Sequence, residues 1–219
     1  MRNDVTIRKI DPQDDPDLFF QVARIHIAEI HPGVLPLLGE KFLARLYFEL
    51  ARAERTHVWI AIEGDKVFGF VSGCANVNRT YLAVFIRSAF ILLWLALPAL
   101  MSKALLLNIL KLLLYPAQSG KSEEPDKKTP EKSSGAQLLS IAMSSDAAGQ
   151  GIGRRLVEAL ESSFIEWKAS GVYYVATWYG EADSNKFYKS IGFIPCGVFK
   201  MHDMLIQRYK KMIPEKPEN

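Results

Sequence analysis

The sequence predicts an α/β fold built around one hydrophobic core. Strand-like and helix-like hydrophobic patterns alternate outside residues 79–135, and a glycine-rich turn at 149–153 joins a strand pattern to a helix pattern. Apolar residues make up 49% of the 219 residues, so the chain can bury a sizeable core. We expect one domain at 1–212 with an apolar helical insertion at 79–116, a flexible linker at 117–135 and a disordered tail at 213–219.

The first part of the domain is predicted to contain three strands and two helices. Helical spacing of apolar residues predicts helices at 16–30 and 39–52. Alternating or continuous apolar runs predict strands at 5–10, 58–62 and 67–74. The last two strands form a hairpin, because Gly64 lies in the short turn between them and glycine adopts a positive φ at little cost.

The part that follows the insertion alternates strands and helices and ends in a hairpin. Strands are predicted at 137–143, 172–178, 193–200 and 202–209. Helices are predicted at 149–169 and 183–190, and Gly192 stops the second helix.

Charge and cysteine content narrow the class of protein. Lys and Arg number 27 against 24 Asp and Glu, and the net charge of +3 is too small to predict nucleic-acid binding. The two cysteines, Cys74 and Cys196, exclude a disulfide framework, and we expect both to be reduced core residues. The N-terminus lacks the apolar run of a secretion signal, so we expect a cytoplasmic protein.

Residues 81–115 form the most apolar part of the chain. We expect two helices, at about 80–97 and 99–115, because Pro98 interrupts a charge-free run of 15 residues, shorter than the ~20 that a spanning helix needs. No Asp or Glu occurs at 66–122, and every charge there is positive. A peripheral contact with an anionic membrane surface is one expectation. The alternatives are that the helices cover the domain core or form a homodimer interface.

The glycine-rich turn at 149–153 has the chemistry of an anion site. Gly149, Gly151 and Gly153 let the backbone approach a ligand closely, and the positive end of the following helix attracts phosphate. A Walker loop is excluded because the turn lacks Gly-Lys-Ser/Thr. The GxGxxG spacing of dinucleotide sites fails because Arg154 occupies its last position. A turn that binds no ligand is the structural alternative.

A second motif follows one helix and one strand later. It reads Phe187-Tyr188-Lys189-Ser190-Ile191-Gly192-Phe193, and the turn reads Ala148-Gly149-Gln150-Gly151-Ile152-Gly153. The pair resembles the R/Q-x-x-G-x-G/A and FYxxxGF motifs of the GNAT acetyltransferase superfamily, with Ala148 in place of the usual Arg or Gln. The resemblance implies a GNAT-like mixed, mostly antiparallel sheet flanked by helices, in which the parallel strands 137–143 and 172–178 splay apart.

The resemblance also implies an acetyl-CoA site in the opening between those two strands. The backbone near Ile141 and Met143 would pair with the pantetheine arm, and the Met143 N–H would stabilise charge on the acyl oxygen. Asn185 would hydrogen-bond the arm, and Tyr188 would act as general acid for the departing thiolate. Aromatic packing is the alternative role for Tyr188. The pyrophosphate would lie on the amides of Gly149, Gly151, Gly153 and Arg154, and Gln150 and Ile152 would belong to the same cofactor site.

The implied reaction transfers acetyl from acetyl-CoA to a primary amine by direct attack in a ternary complex. The general base is not assigned among a water chain and Glu29, His31, Glu181 and Asp183. No metal is expected, because His26 and Glu29 lie at i and i+3 of one helix without a third ligand. The competing function is a non-catalytic module that binds CoA and docks on a membrane or a partner. The acceptor can be a small molecule or a protein.

Overall fold

The structure, a computed structural model, describes residues 5–31, 33, 35–100, 135–147, 149–169, 171–201 and 204–214. The strands of this part of the chain are β1 Thr6–Lys9, β2 Thr56–Glu63, β3 Lys66–Cys74, β4 Gln137–Met143, β5 Val172–Trp178, β6 Ile194–Met201 and β7 Met204–Met212. The helices are α1 Pro16–Glu29, α2 Glu40–Arg52, α3 Val77–Leu100, α4 Ile152–Glu166 and α5 Ala182–Ser190.

The strands form one sheet in the order β1-β2-β3-β4-β5-β7-β6. All neighbouring strands are antiparallel except β4 and β5, which run parallel. The predicted mixed sheet with one parallel pair is therefore confirmed. Gly64 in the β2–β3 turn has a φ of 59°, as the hairpin prediction requires.

Helices cover both faces of the sheet. Neighbouring residues of a strand point to opposite sides, so each central strand contributes side chains to the apolar core on both faces. Phe70 of β3 belongs to the apolar cluster of α1 and α2, whereas Val71 belongs to the cluster of α4. Leu156 and Leu160 of α4, which the pattern places inward, are fully buried. The centre of the sheet, where β4 lies, is thus packed between two helical layers.

α3 corrects the prediction of a helix break at Pro98. The helix runs from Val77 to Leu100 through the proline. A proline removes one amide donor from a helix, and the flanking turns can continue around it with a local bend. The rest of the second predicted helix, the linker except Gly135, Ala148 and the end of the tail fall at 101–134, 148 and 215–219, outside the described residues.

One face of α3 contacts α2, and the rest of the helix is largely exposed. Asn76 caps the helix, since its Oδ1 accepts the Arg79 N–H at 3.0 Å. Within the described residues, Val77–Leu95 is the one segment whose length and composition would allow it to cross a membrane.

The C-terminal hairpin differs from the sequence expectation at two residues. Cys74 is buried as expected, but Cys196 is exposed, because it lies on β6, the edge strand of the sheet. Ile213, which the sequence assigns to the tail, is buried, and its N–H donates to the Gly171 carbonyl at 2.9 Å. The ordered domain therefore extends beyond residue 212.

Candidate active site

β4 and β5 separate and leave an opening in the middle of the sheet. In the described chain one residue pair, Gln137 with Tyr174, joins the two strands, and the Tyr174 N–H donates to the Ala136 carbonyl at 3.1 Å. Past this pair β4 remains paired with β3, and β5 with β7. The facing edges of 138–143 and 175–178 therefore offer backbone donors and acceptors to a ligand.

Alternate residues of β4 turn their backbone groups into this opening. The Ser144 N–H donates to the Phe68 carbonyl at 2.9 Å, so Ser144 and Phe68 form a hydrogen-bonded pair of the β3–β4 ladder. Such positions alternate with non-bonded ones along an antiparallel ladder. Ile141 and Met143 occupy the non-bonded positions, so their N–H and C=O groups point away from β3. They have the orientation that binding of an extended amide-containing arm requires.

The glycine turn after β4 is open to a ligand. Gly149 and Gly151 both have a φ of 75°, and a Cβ on either would meet no atom of the described residues within 4 Å. Gly151 is the N-cap of α4, and neither a capping side chain nor an acidic residue lies at this helix end. The first amide groups of α4 and the positive end of its dipole are thus available to an anion. The turn groups the predicted contacts Gly149, Gln150, Gly151, Ile152, Gly153 and Arg154.

Gly153 lets three elements meet beside the turn. A Cβ at this position would lie 2.8 Å from Sδ of Met143 and 3.1 Å from Cε2 of Phe187. Both distances are shorter than ordinary van der Waals contact. Because Gly153 has no side chain, the end of β4 and helix α5 can both pack closely against the start of α4. This contact brings the two sequence motifs, the glycine turn and the segment 187–193, together in the fold.

The side chains of Gln150 and Arg154 both contact backbone carbonyls near the turn. Gln150 Nε2 donates to the Asp146 carbonyl at 3.1 Å, and Gln150 Oε1 is buried without a hydrogen-bond partner among the described residues. Arg154 Nη2 donates to the Ser190 carbonyl at 3.3 Å, at the end of α5. These bonds hold an amide and a cation beside the glycine turn.

Asn185 fixes the start of α5 to the neighbouring strands. Its Oδ1 accepts the Tyr209 hydroxyl at 2.8 Å. Its Nδ2 lies within hydrogen-bond distance of the backbone carbonyls of Trp178, Tyr179 and Glu181. The predicted bond from Asn185 to the cofactor arm would have to replace one of these contacts.

Tyr188 is only 6% exposed and lies among aromatic rings. Its ring centroid is 5.4–5.7 Å from those of Phe187, Phe193 and Tyr209. Burial, with a smaller contribution from Tyr209, raises the pKa of Tyr188 well above its ordinary value. The phenol therefore stays protonated at neutral pH, the state that a general acid needs, while its ring contacts also serve packing.

A buried polar chain reaches β4 from the α1–α2 side, and sequence reasoning missed it. His26 Nδ1 and the Tyr47 hydroxyl are 2.5 Å apart, and the Ser140 side chain lies near the Tyr47 hydroxyl. Burial, with a smaller contribution from His31, lowers the pKa of His26 to about 4, so its imidazole is neutral at pH 7. The sequence signal that could have revealed this contact is the position of His26 and Tyr47, two polar residues on the inward-facing sides of α1 and α2.

The four candidate bases lie nearer the surface than the buried polar side chains of His26 and Tyr47. Glu29 and His31 are exposed at the end of α1, and His31 Nε2 lies 3.0 Å from the Ala28 carbonyl. Asp183 is exposed in the first turn of α5, and the adjoining Glu181 is half-buried.

Comparison with solved structures identifies the architecture. An acetyltransferase of the GNAT family from Streptococcus pneumoniae superimposes with a TM-score of 0.55 at 13% identity, over 96% of this chain and 99% of that chain. The chain has the GNAT fold. Ribosomal-protein-alanine N-acetyltransferase from Brucella melitensis gives a TM-score of 0.57 at 17% identity, over 94% and 99% of the two chains. Aminoglycoside 6′-N-acetyltransferase complexed with coenzyme A gives 0.55 at 15% identity, over 97% and 99%.

A sequence comparison agrees with the structural one. The family model of the acetyltransferase (GNAT) domain matches residues 123–195, the segment that contains both motifs. No curated protein matches the sequence. The GNAT resemblance drawn from the two motifs is therefore confirmed.

Proposed function

We propose that this GNAT-fold protein is an acetyl-CoA-dependent N-acetyltransferase that acetylates a primary amine by direct attack in a ternary complex. The open glycine turn at the end of β4, beside the opening between β4 and β5, is the observation that carries the proposal. The GNAT domain match and the similarity to a coenzyme A-bound acetyltransferase support it.

The residues around the opening fit acetyl-CoA. Gly149 and Gly151 leave a surface without side chains, and the first amides of α4 offer donors to a diphosphate. Ile141 and Met143 offer backbone groups to the amides of the pantetheine arm. When bound, acetyl-CoA supplies a thioester-activated acetyl group.

The protein must also move two protons, one from the amine and one to the departing thiol. We assign the second transfer to Tyr188, the tyrosine of the second GNAT motif, whose neighbour Phe187 packs at Gly153 beside the glycine turn and whose hydroxyl is protonated at neutral pH. The first proton leaves through water or one of the four surface groups, Glu29, His31, Glu181 and Asp183. The exposed groups among them, Glu29, His31 and Asp183, have a direct route to solvent.

Calorimetry with coenzyme A tests the binding site. Gly151→Ala should weaken binding by about tenfold or more, because the new Cβ strains a φ of 75° and enters the open side of the turn. Gly64→Ala is the matched control, since Gly64 also has a positive φ, 59°, and open space around it but lies in the β2–β3 turn. Absence of binding to wild type, or equal losses in both variants, would overturn the proposed site.

A thiol-release assay over a panel of amines then tests the reaction. Amino sugars, aminoglycosides, polyamines, amino acids and peptides with free N-termini cover the open acceptor classes. Turnover of any of them supports an N-acetyltransferase. Coenzyme A binding without turnover of any amine favours the non-catalytic module instead.

A further inference from the structure

The exposed face of α3 carries large apolar side chains, whereas hydroxyl groups lie among its most buried positions. Among the described side chains of the helix, at residues 77–95, Thr80, Val84 and Ser88 are the most buried, and two of the three carry hydroxyl groups. The outer strip, by contrast, consists of large apolar side chains that are 59–82% exposed: Leu82, Phe85, Ile86, Phe90, Leu93 and Trp94. A surface helix of a globular protein normally has the opposite arrangement.

The outer strip is continuous. At about 100° per residue, its six members cover about half of the helix circumference, and they extend over about 18 Å of its length. Monomeric soluble proteins rarely expose one apolar patch of this kind unless it contacts a partner or a membrane. An exposed strip of this kind is typical of a surface that contacts a partner or a membrane.

The charge around the outer strip is positive. No Asp or Glu occurs at 66–122, and Arg79 and Arg87 lie on α3 itself. In the part of the chain that the structure describes, neither arginine pairs with a carboxylate, and Arg87 donates to the Arg52 carbonyl at 3.1 Å. Two copies that met through this strip would bring their arginines together without acidic partners. Anionic lipid headgroups would supply the missing negative charge.

We propose that the outer strip of α3 docks on the surface of an anionic lipid bilayer. The inner face of α3 is packed on α2, so the helix lies in the plane of the interface while the domain stays in water. The aromatic rings of Phe85, Phe90 and Trp94 suit the boundary between headgroups and acyl chains. The sequence continues in the same manner, since residues 101–115 contain four polar residues, two of them lysines, and no acidic one.

Vesicle co-sedimentation of the full-length protein tests this docking. Wild type should bind phosphatidylcholine vesicles that contain about 30% phosphatidylserine far better than neutral vesicles, and salt at ~1 M should weaken the binding. The triple variant Phe85→Ser, Phe90→Ser, Trp94→Ser should bind more than about tenfold more weakly. Arg79→Gln should bind roughly fivefold more weakly, the loss expected for one basic residue near the surface. The control, Ile194→Ser with Val198→Ser, removes similarly exposed apolar side chains from β6 and should bind like wild type.

Fluorescence and oligomeric state separate the other outcomes. Emission of wild type should shift to the blue with anionic vesicles, and Trp94→Phe should reduce the shift. A lack of vesicle binding, or equal binding by wild type and the triple variant, overturns the proposal. A wild-type dimer that the triple substitution dissociates, without vesicle binding, assigns the strip to a second copy instead. The triple variant should bind coenzyme A with unchanged affinity. A loss of vesicle binding can then be distinguished from a failure of the proposed acetyltransferase activity.

Discussion

Replacing Gly153 by alanine tests whether close packing requires glycine at the start of α4. The new Cβ would lie 2.8 Å from Sδ and 3.0 Å from Cε of Met143, and 3.1 Å from Cε2 of Phe187. Overpacking of this kind costs about 1–3 kcal/mol, and the better helix propensity of alanine returns about 1 kcal/mol. We expect the free energy of unfolding to fall by about 1 kcal/mol, and Tm by about 2–4 °C.

Urea unfolding in a double-mutant cycle with Met143→Ala identifies the cause. Truncation of Met143 removes two of the three close contacts, so Gly153→Ala should cost at least about 1 kcal/mol less in that background. Gly151→Ala is the control, because its cost comes from a φ of 75° and no atom lies within 4 Å of its Cβ. Equal costs of Gly153→Ala with and without Met143 would refute the packing explanation.

Three further predictions follow from the site and the core. Tyr188→Phe should preserve coenzyme A binding and slow thiol release by about 10²–10⁴-fold, and unchanged turnover would remove Tyr188 from the mechanism. Burial lowers the pKa of His26 to about 4 from 6.5, so its contribution to stability is complete above pH 6.5 and is lost as the pH falls towards 4. In urea unfolding at several pH values, His26 should account for a loss of up to about 1.4 kcal/mol per pH unit, and His26→Asn should remove that part of the dependence. The native protein should react rapidly with the thiol reagent DTNB at one residue, Cys196, because Cys74 is buried and its pKa is raised to about 11. Cys196→Ser should abolish the rapid reaction, and two rapid thiols in wild type would contradict the burial of Cys74.

The features that sequence reasoning predicted correctly depend on local pattern. The glycine turn follows from a strand, closely spaced glycines and a helix in direct succession, and the structure shows the positive φ values that this pattern requires. The opening between β4 and β5 came from the family resemblance, because hydrophobic periodicity carries no information on how far two parallel strands remain paired. The orientation of Ile141 and Met143 likewise depends on the ladder with β3.

The features that sequence reasoning missed depend on long-range contacts. The bond between His26 and Tyr47 joins two helices, and Ser140 reaches it from a distant strand. Cys196 has a strand-like pattern around it, but its exposure depends on β6 being the last strand of the sheet. Pro98 lies inside α3, which continues past it in spite of one lost amide donor. The rule that a proline ends a helix does not take the surrounding helix into account.

The link between β4 and β5 also determines how the domain should respond to mechanical force. In the described chain, the half-sheet β1–β4 meets the half-sheet β5–β7 through the pair Gln137 and Tyr174. When the two halves are pulled apart, tension is resisted there by few hydrogen bonds and mainly by the shared apolar cluster of α4. In optical tweezers the seam between the halves should be the first to rupture, and a molecule bridging both strands should raise the rupture force.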